Sequence, residues 1–171
     1  MAFELRIPTR TELPAATELC LRSKAHWGYD QSFMEACFQE LMLTSDDLEN
    51  DQVVVAISND VMVGVVQVSV EERGCFLEKL FVDPDRMGEG IGRAMYDWSI
   101  ETTRKLGASE LVIEADPNAV PFYLKMGGIR AGFANSGSIP GRQLPLLVHR
   151  LQSNSPIVCP EAEHAAAKTT Q

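Results

Sequence analysis

Long apolar runs, excess positive charge and grouped cysteines are all missing from this chain, and each absence removes a class of function. No stretch of roughly eighteen apolar residues occurs, so no membrane-spanning helix is expected. Lys and Arg number 15 against 24 Asp and Glu, a net charge of -9. That balance argues against a nucleic-acid partner and suits a cationic one. The four cysteines, Cys20, Cys37, Cys75 and Cys159, show neither CxxC nor Cys/His ligand spacing, so reduced and mostly buried thiols are expected. With no grouping of His, Cys and carboxylates, no metal site is expected. GxxxxGK[ST] and GxSxG are both absent, which removes the support for a P-loop or a nucleophile elbow. The N-terminal MAFELRIPTRTELP lacks the pattern of a secretory leader, and a cytoplasmic location is expected.

What remains is a 171-residue chain, 45% hydrophobic and 23% charged, the composition of one globular domain. Residues 1–152 carry the periodic patterns. From Ser153 onward the chain has two prolines and little periodicity, so 153–171 is expected to be a flexible C-terminal tail.

Phe3 to Ile7 alternates and stops at Pro8, a short strand. Helical spacing follows in Leu13, Ala16, Leu19 and Cys20, with Thr11 as the expected cap, and again in Phe33, Met34, Cys37, Phe38, Leu41 and Met42. VVVAI at 53–57, the turn Ser58-Asn59-Asp60 and Val61 to Val70 predict a hairpin. Cys75 to Val82, apolar except for Glu78 and Lys79, predicts a central strand covered on both faces. A helix bearing Ile91, Ala94, Met95, Trp98 and Thr102 on one face is expected to end near Gly107. A strand over Leu111 to Ala115, a short helix within Asp116 to Gly128, and strands at Ile129 to Ala134 and Leu144 to Leu151 complete the pattern. Pro145 predicts an edge, or the start of a strand, for the last of these. The order βααβββαβαββ predicts an α/β (α+β) domain, a mixed, mostly antiparallel sheet of six or seven strands with helices on both faces.

The most informative stretch runs from Leu77 to Arg93. A buried strand leads through glycines 88, 90 and 92 into a helix start, where free amides and the positive end of the helix dipole can receive phosphate. The glycines run GxGxG after the fourth strand, unlike the GxGxxG that follows the first strand of a dinucleotide fold. Arg93 either adds charge beside a diphosphate or is an ordinary solvated helix residue.

LxxLFVxPxxxGxGIG at 77–92, followed by NAVPFYLKMGG at 118–128, resembles the acyl-CoA-binding core of the GNAT superfamily of N-acetyltransferases, and the likeness extends over roughly residues 3–151. The resemblance implies acetyl-CoA as cosubstrate, with the pantetheine arm on the backbone of the Leu80-Phe81-Val82 strand. It implies the pyrophosphate on the amides of Met87, Gly88, Gly90, Ile91, Gly92 and Arg93, in a gap where the fourth and fifth strands splay. Met87 stands where the family usually has Gln or Arg, with Arg86 displaced by one. The segment Ser136 to Arg142, leading into Leu144-Pro145-Leu146-Leu147, resembles that of small bacterial-type members.

The same resemblance makes Tyr123 the expected acid for the departing thiolate, a task for a phenol of ordinary pKa, about 10; the alternative is packing, the role expected for Phe122. Asn118 either hydrogen-bonds the pantetheine or caps the helix. An amine attacks only when neutral, so a base is needed, and Glu78 is the candidate, its pKa raised by burial; a structural ion pair is the alternative. His26, Trp27 and Tyr29 occupy the loop expected to line the acceptor site, where aromatics can face a cationic amine or simply pack. The expected function is direct acetyl transfer from acetyl-CoA to a primary amine of a small molecule or peptide. The rival is a non-catalytic acyl-CoA-binding or interaction module of the same fold. No nucleic acid or membrane partner is expected, and family habit suggests a homodimer, although no heptad or symmetric motif calls for one.

Overall fold

Two-residue alternation in the strands determines how this chain is layered. In a computed structural model, which describes residues 2–152, Val53 and Val55 of one strand enter a core on one face of the sheet while Val54 and Ala56 enter another on the opposite face. Seven strands form the sheet: β1 (Glu4–Arg6), β2 (Gln52–Ser58), β3 (Val61–Glu71), β4 (Gly74–Val82), β5 (Glu110–Glu114), β6 (Ile129–Asn135) and β7 (Gln143–Arg150). Their spatial order is β1-β2-β3-β4-β5-β7-β6, antiparallel except between β4 and β5. The mixed, mostly antiparallel sheet expected from the sequence is present. The expected tail, with Cys159, lies outside the described residues.

Helices α1 (Leu13–Ala25) and α2 (Gln31–Leu41) cover one face; α4 (Ile91–Lys105) and α5 (Val120–Lys125) cover the other. A short α3 (Ser45–Asn50) is an addition to the expected order. Its polar sequence SDDLEN has no apolar stripe, and a capping box between Thr44 and Asp47 nucleates it instead. Thr11 caps nothing: a 3-10 turn over Arg10–Glu12 precedes α1, and Glu12 accepts the Thr9 N–H at 2.8 Å. The Asn59-Asp60 turn carries positive φ at both residues (49° and 61°), the type I′ geometry that suits a two-residue hairpin.

The buried face of α4 is rotated from the expected stripe. Ile91, Met95, Tyr96, Ser99 and Thr103 are buried, with Ala94, Trp98 and Thr102 at its flank. Two hydroxyl residues can face the sheet because Ser99 donates to the Tyr96 carbonyl at 2.7 Å and Thr103 to the Ser99 carbonyl at 2.8 Å, leaving no donor unsatisfied. Pro145 is the third residue of β7, which lies between β5 and β6 rather than at the edge. Its carbonyl accepts the Ala115 N–H at 2.8 Å, just where β5 ends, so little of the ladder is lost.

Two irregularities position the site. The strands β4 and β5 pair only at Cys75 with Leu111 and Phe76 with Val112, then part. A β-bulge also interrupts β3 against β4: Gln67 faces Lys79 and Val68 faces Leu77, leaving Glu78 as the extra residue.

Candidate active site

Because β5 leaves β4 after Phe76, the outer edge of β4 has no strand beside it. The Asp83 N–H bonds back to the Val63 carbonyl on β3 at 2.9 Å, so by alternation Leu80 and Val82 direct their backbone groups into the gap. A cavity of about 610 Å³ fills it, within the range of small-molecule sites. Leu80, Phe81, Val82, Met87, Gly88, Gly90, Gly92, Arg93, Asn118, Tyr123, Glu78 and Trp27 all line it, so most of the residues singled out by sequence are brought together here.

At one end lies the glycine turn. Gly88 and Gly90 hold φ of +87° and +86°, and a Cβ on either would meet nothing within 4 Å, so glycine is required there by backbone conformation and not by crowding. Gly90 caps α4 without a side-chain bond. Among the described residues, the six N–H groups from Gly88 to Arg93 have no protein acceptor. Six open amides at the start of a fifteen-residue helix fit a diphosphate. The Ile91 side chain is in the core, so that residue offers its amide alone. Arg86 donates to Glu89 at 2.8 Å and to Ser58 at 3.3 Å, bracing the turn, while exposed Arg93 lies 4.0 Å from Asp97.

We expect Gly90→Ala to weaken CoA binding roughly 5- to 30-fold, the equivalent of about 1–2 kcal/mol for forcing a side chain into left-handed backbone. Calorimetric titration with CoA checks it.

Tyr123, on α5, is 7% exposed and rests against Tyr96 and Phe122. Its hydroxyl has no protein partner among the described residues. No fully buried side-chain polar atom is left unsatisfied, so that oxygen must reach the cavity. The expectation of an ordinary phenol needs correction: burial, then Tyr96 and Asp116, push its pKa well above the usual value. Phe122 packs edge-on to Tyr96 and also lines the cavity.

Glu78 differs more from expectation. It is exposed, so the burial expected from its apolar neighbours is absent. The bulge turns it onto the face that Lys79 occupies, and both border a neighbouring acidic cleft with Gln67 and Ser69. There Glu78 accepts the Ser69 hydroxyl at 2.6 Å, and it is Lys79 that is buried, donating to Gln67 Oε1 at 2.7 Å. Strict alternation, the rule behind the expectation, does not survive a bulge.

The loop aromatics divide. Trp27 borders the cavity; His26 is exposed, outside the cavity lining, and edge-on to Trp27. Tyr29 joins a polar knot. Its hydroxyl donates to Asp116 at 2.8 Å and accepts from Arg142 at 3.0 Å and Asn118 at 3.3 Å, while its ring stacks on Phe33. Asp116 also accepts Lys24 Nζ at 2.5 Å and lies 3.7 Å from Arg142. Asp116 is also the cap of the turn that precedes α5, accepting the Asn118 N–H at 2.9 Å, so Asn118 is not.

Sequence reasoning passed over Lys24, Asp116 and Arg142, and also Glu40 and Glu114, all of which line the cavity. Glu114 could have been found by alternation: Leu111, Ile113 and Ala115 are core, which puts Glu114 on the other face.

A family model described as Acetyltransferase (GNAT) domain matches residues 16–137. The chain is 33% identical over 106 residues to the peptidyl-lysine N-acetyltransferase YjaB of Salmonella typhimurium, covering 61% of this chain and 68% of that one. Among solved structures, the PaiA N-acetyltransferase of Thermoplasma acidophilum in complex with coenzyme A superposes with a TM-score of 0.72 at 16% identity, covering 88% of this chain and all of that one. The protein YncA of Salmonella typhimurium, solved with its cofactor acetyl-CoA, superposes at 0.64 with 17% identity, over 93% of this chain and 100% of the other. The splayed strands, the glycine turn and the matched domain agree, and the chain belongs to the GNAT family of N-acetyltransferases.

Proposed function

We propose that this chain uses acetyl-CoA and moves its acetyl group directly to a primary amine, carried by a small molecule or by a peptide lysine. One observation carries the reading: a single cavity runs through the sheet at the β4–β5 gap, with open amides at one end, the unpartnered Tyr123 hydroxyl on its wall, and Glu40, Glu78 and Glu114 also lining it. The lysine acetyltransferase YjaB and the coenzyme complexes of two structural relatives support acceptor and cosubstrate respectively. Buried free thiols at Cys20, Cys37 and Cys75 suit a cytoplasmic setting.

Acetyl-CoA, when bound, supplies an activated thioester. The amides of 88–93 would hold its diphosphate, and the open backbone edge at Leu80 and Val82 its pantetheine arm, with Asn118 beside it. Backbone N–H groups of that edge would polarise the carbonyl. The three glutamates attract an ammonium, with Trp27 at the rim. Tyr123 Oη holds the proton that the leaving sulfur needs.

The test is thiol release from acetyl-CoA with a panel of amines: a lysine peptide, a polyamine and a neutral alcohol control. Release that depends on an amine is expected. Release no faster with any amine than with the alcohol would refute the reading.

A further inference from the structure

We propose that Glu114, and not Glu78, is the catalytic carboxylate that takes the proton from the acceptor ammonium. The proposal rests on the amine-acetylating reading and names a further residue for it.

Four carboxylates line the cavity: Glu40, Glu78, Glu114 and Asp116. A base needs an unencumbered oxygen: Glu40 and Glu78 each have one oxygen held by a serine hydroxyl, and Asp116 has several partners. Glu40 accepts the Ser138 hydroxyl at 2.5 Å, Glu78 accepts Ser69 at 2.6 Å, and Asp116 is bound by Lys24, Tyr29 and Asn118. Each such bond occupies a lone pair and fixes the carboxylate on a neighbour other than the acceptor. Glu114 has no hydrogen bond or ion pair with the protein among the described residues.

Its position completes the argument. Glu114 ends β5 at the point where β4 has diverged, on the sheet face opposite Leu111, Ile113 and Ala115. Tyr123 belongs to the core on the α4–α5 face, so acid and base approach the gap from opposite sides of the sheet. The charges facing Glu114 come from several elements. Glu114 is exposed, as Glu78 is, and what distinguishes it is its surroundings: the desolvation it has beside the gap, then Glu78 of β4, Glu40 of α2 and Glu71 at the end of β3, raise its pKa, while Arg73 in the β3–β4 turn opposes them. A raised value makes it a stronger base than a free carboxylate.

The protons balance as follows. The ammonium nitrogen loses two: one to Glu114 and on to water, while the second balances the proton that Tyr123 delivers to the sulfur. One proton is released per turnover, as the C–N bond forms and the C–S bond breaks.

The pH dependence of kcat/KM tests this with Glu114→Gln, Glu114→Asp and Glu78→Gln. Wild-type kcat/KM should rise with pH through an acid limb. In Glu114→Gln that limb should vanish and the plateau fall by roughly 10²-fold or more, with CoA affinity by calorimetry unchanged. Glu114→Asp should keep the limb. Glu78→Gln should raise KM and move the limb to lower pH, because one negative neighbour is lost. NMR titration of the side-chain carboxyls, without acetyl-CoA, should show Glu114 titrating above its ordinary 4.5 and falling in Glu78→Gln. A wild-type limb in Glu114→Gln, loss of the limb in Glu78→Gln alone, or a Glu114 at or below its ordinary value would overturn the proposal. These outcomes differ from failure of the amine-acceptor reading, in which wild-type protein itself shows no release that depends on an amine.

Discussion

Tyr123→Phe should lower kcat by about 10²-fold or more and leave the affinity for CoA unchanged. The substitution removes one oxygen from a ring that is otherwise held by Tyr96 and Phe122 and makes no protein hydrogen bond, so the fold loses nothing with it. What is lost is the proton at the cavity wall. Burial raises the phenol pKa, so wild-type enzyme should show no fall in rate from ionisation of Tyr123 up to pH values around that of a free phenol, roughly 10. Single-turnover thiol release across pH reads both effects. A kcat within a few-fold of wild type in the Phe variant would show that the sulfur takes its proton from water.

Asp116→Ala should be the most damaging single truncation at the rim of the site. Asp116 and Lys24 retain 11% side-chain exposure each and Arg142 18%, so the two cations would lose their counter-charge in a largely dry place. The expected cost is on the order of 3 kcal/mol, the low end for a broken buried pair because solvent still touches the rim. For a chain of this size that lowers Tm by roughly 6–12 °C, which calorimetry would detect. The knot ties α1 and the α1–α2 loop to the β5–α5 turn and the β6–β7 loop, so KM for the amine should rise as well. Burial pushes the Asp116 carboxyl up, but Lys24, the Asn118 N–H and Tyr29 more than offset this, and its pKa lies below the ordinary 3.8. A depressed pKa in the folded state stabilises above the unfolded value and ceases to do so as pH falls through the folded one. Wild type should therefore lose stability in acid below about pH 4, and the part of that loss due to this group should be missing from Asp116→Ala. Equal acid sensitivity in both proteins would show that the knot contributes no linkage.

How far the site could be read before the fold was known depended on whether the signal was local. The turn at Gly88 to Gly92 was legible because positive φ, open amides and a helix start are properties of adjacent residues. Tyr123 was legible through the resemblance of NAVPFYLKMGG to a family motif. Glu78 misled because its burial was inferred from its neighbours along the strand, whereas the exposure of a residue in a bulge is decided by the partner strand. α3 escaped because its stability comes from a capping box in a polar stretch without periodicity. Tyr29 was chosen for the right loop, but its partners are 87 and 113 residues away.

Alone, the order of residues determined the strands, the helices other than α3, the two-faced sheet and the glycine turn with its open amides, since each follows from side-chain period or backbone freedom over a few consecutive positions. Only the tertiary structure decided which carboxylates lack a partner. The hydrogen bonds on Glu40, Glu78 and Asp116 come from groups far away in the chain or across a bulge, and the divergence of β5 from β4 is what leaves Glu114 open at the gap. Basicity in a folded protein is set by such neighbours, and they are assembled only when the chain closes on itself.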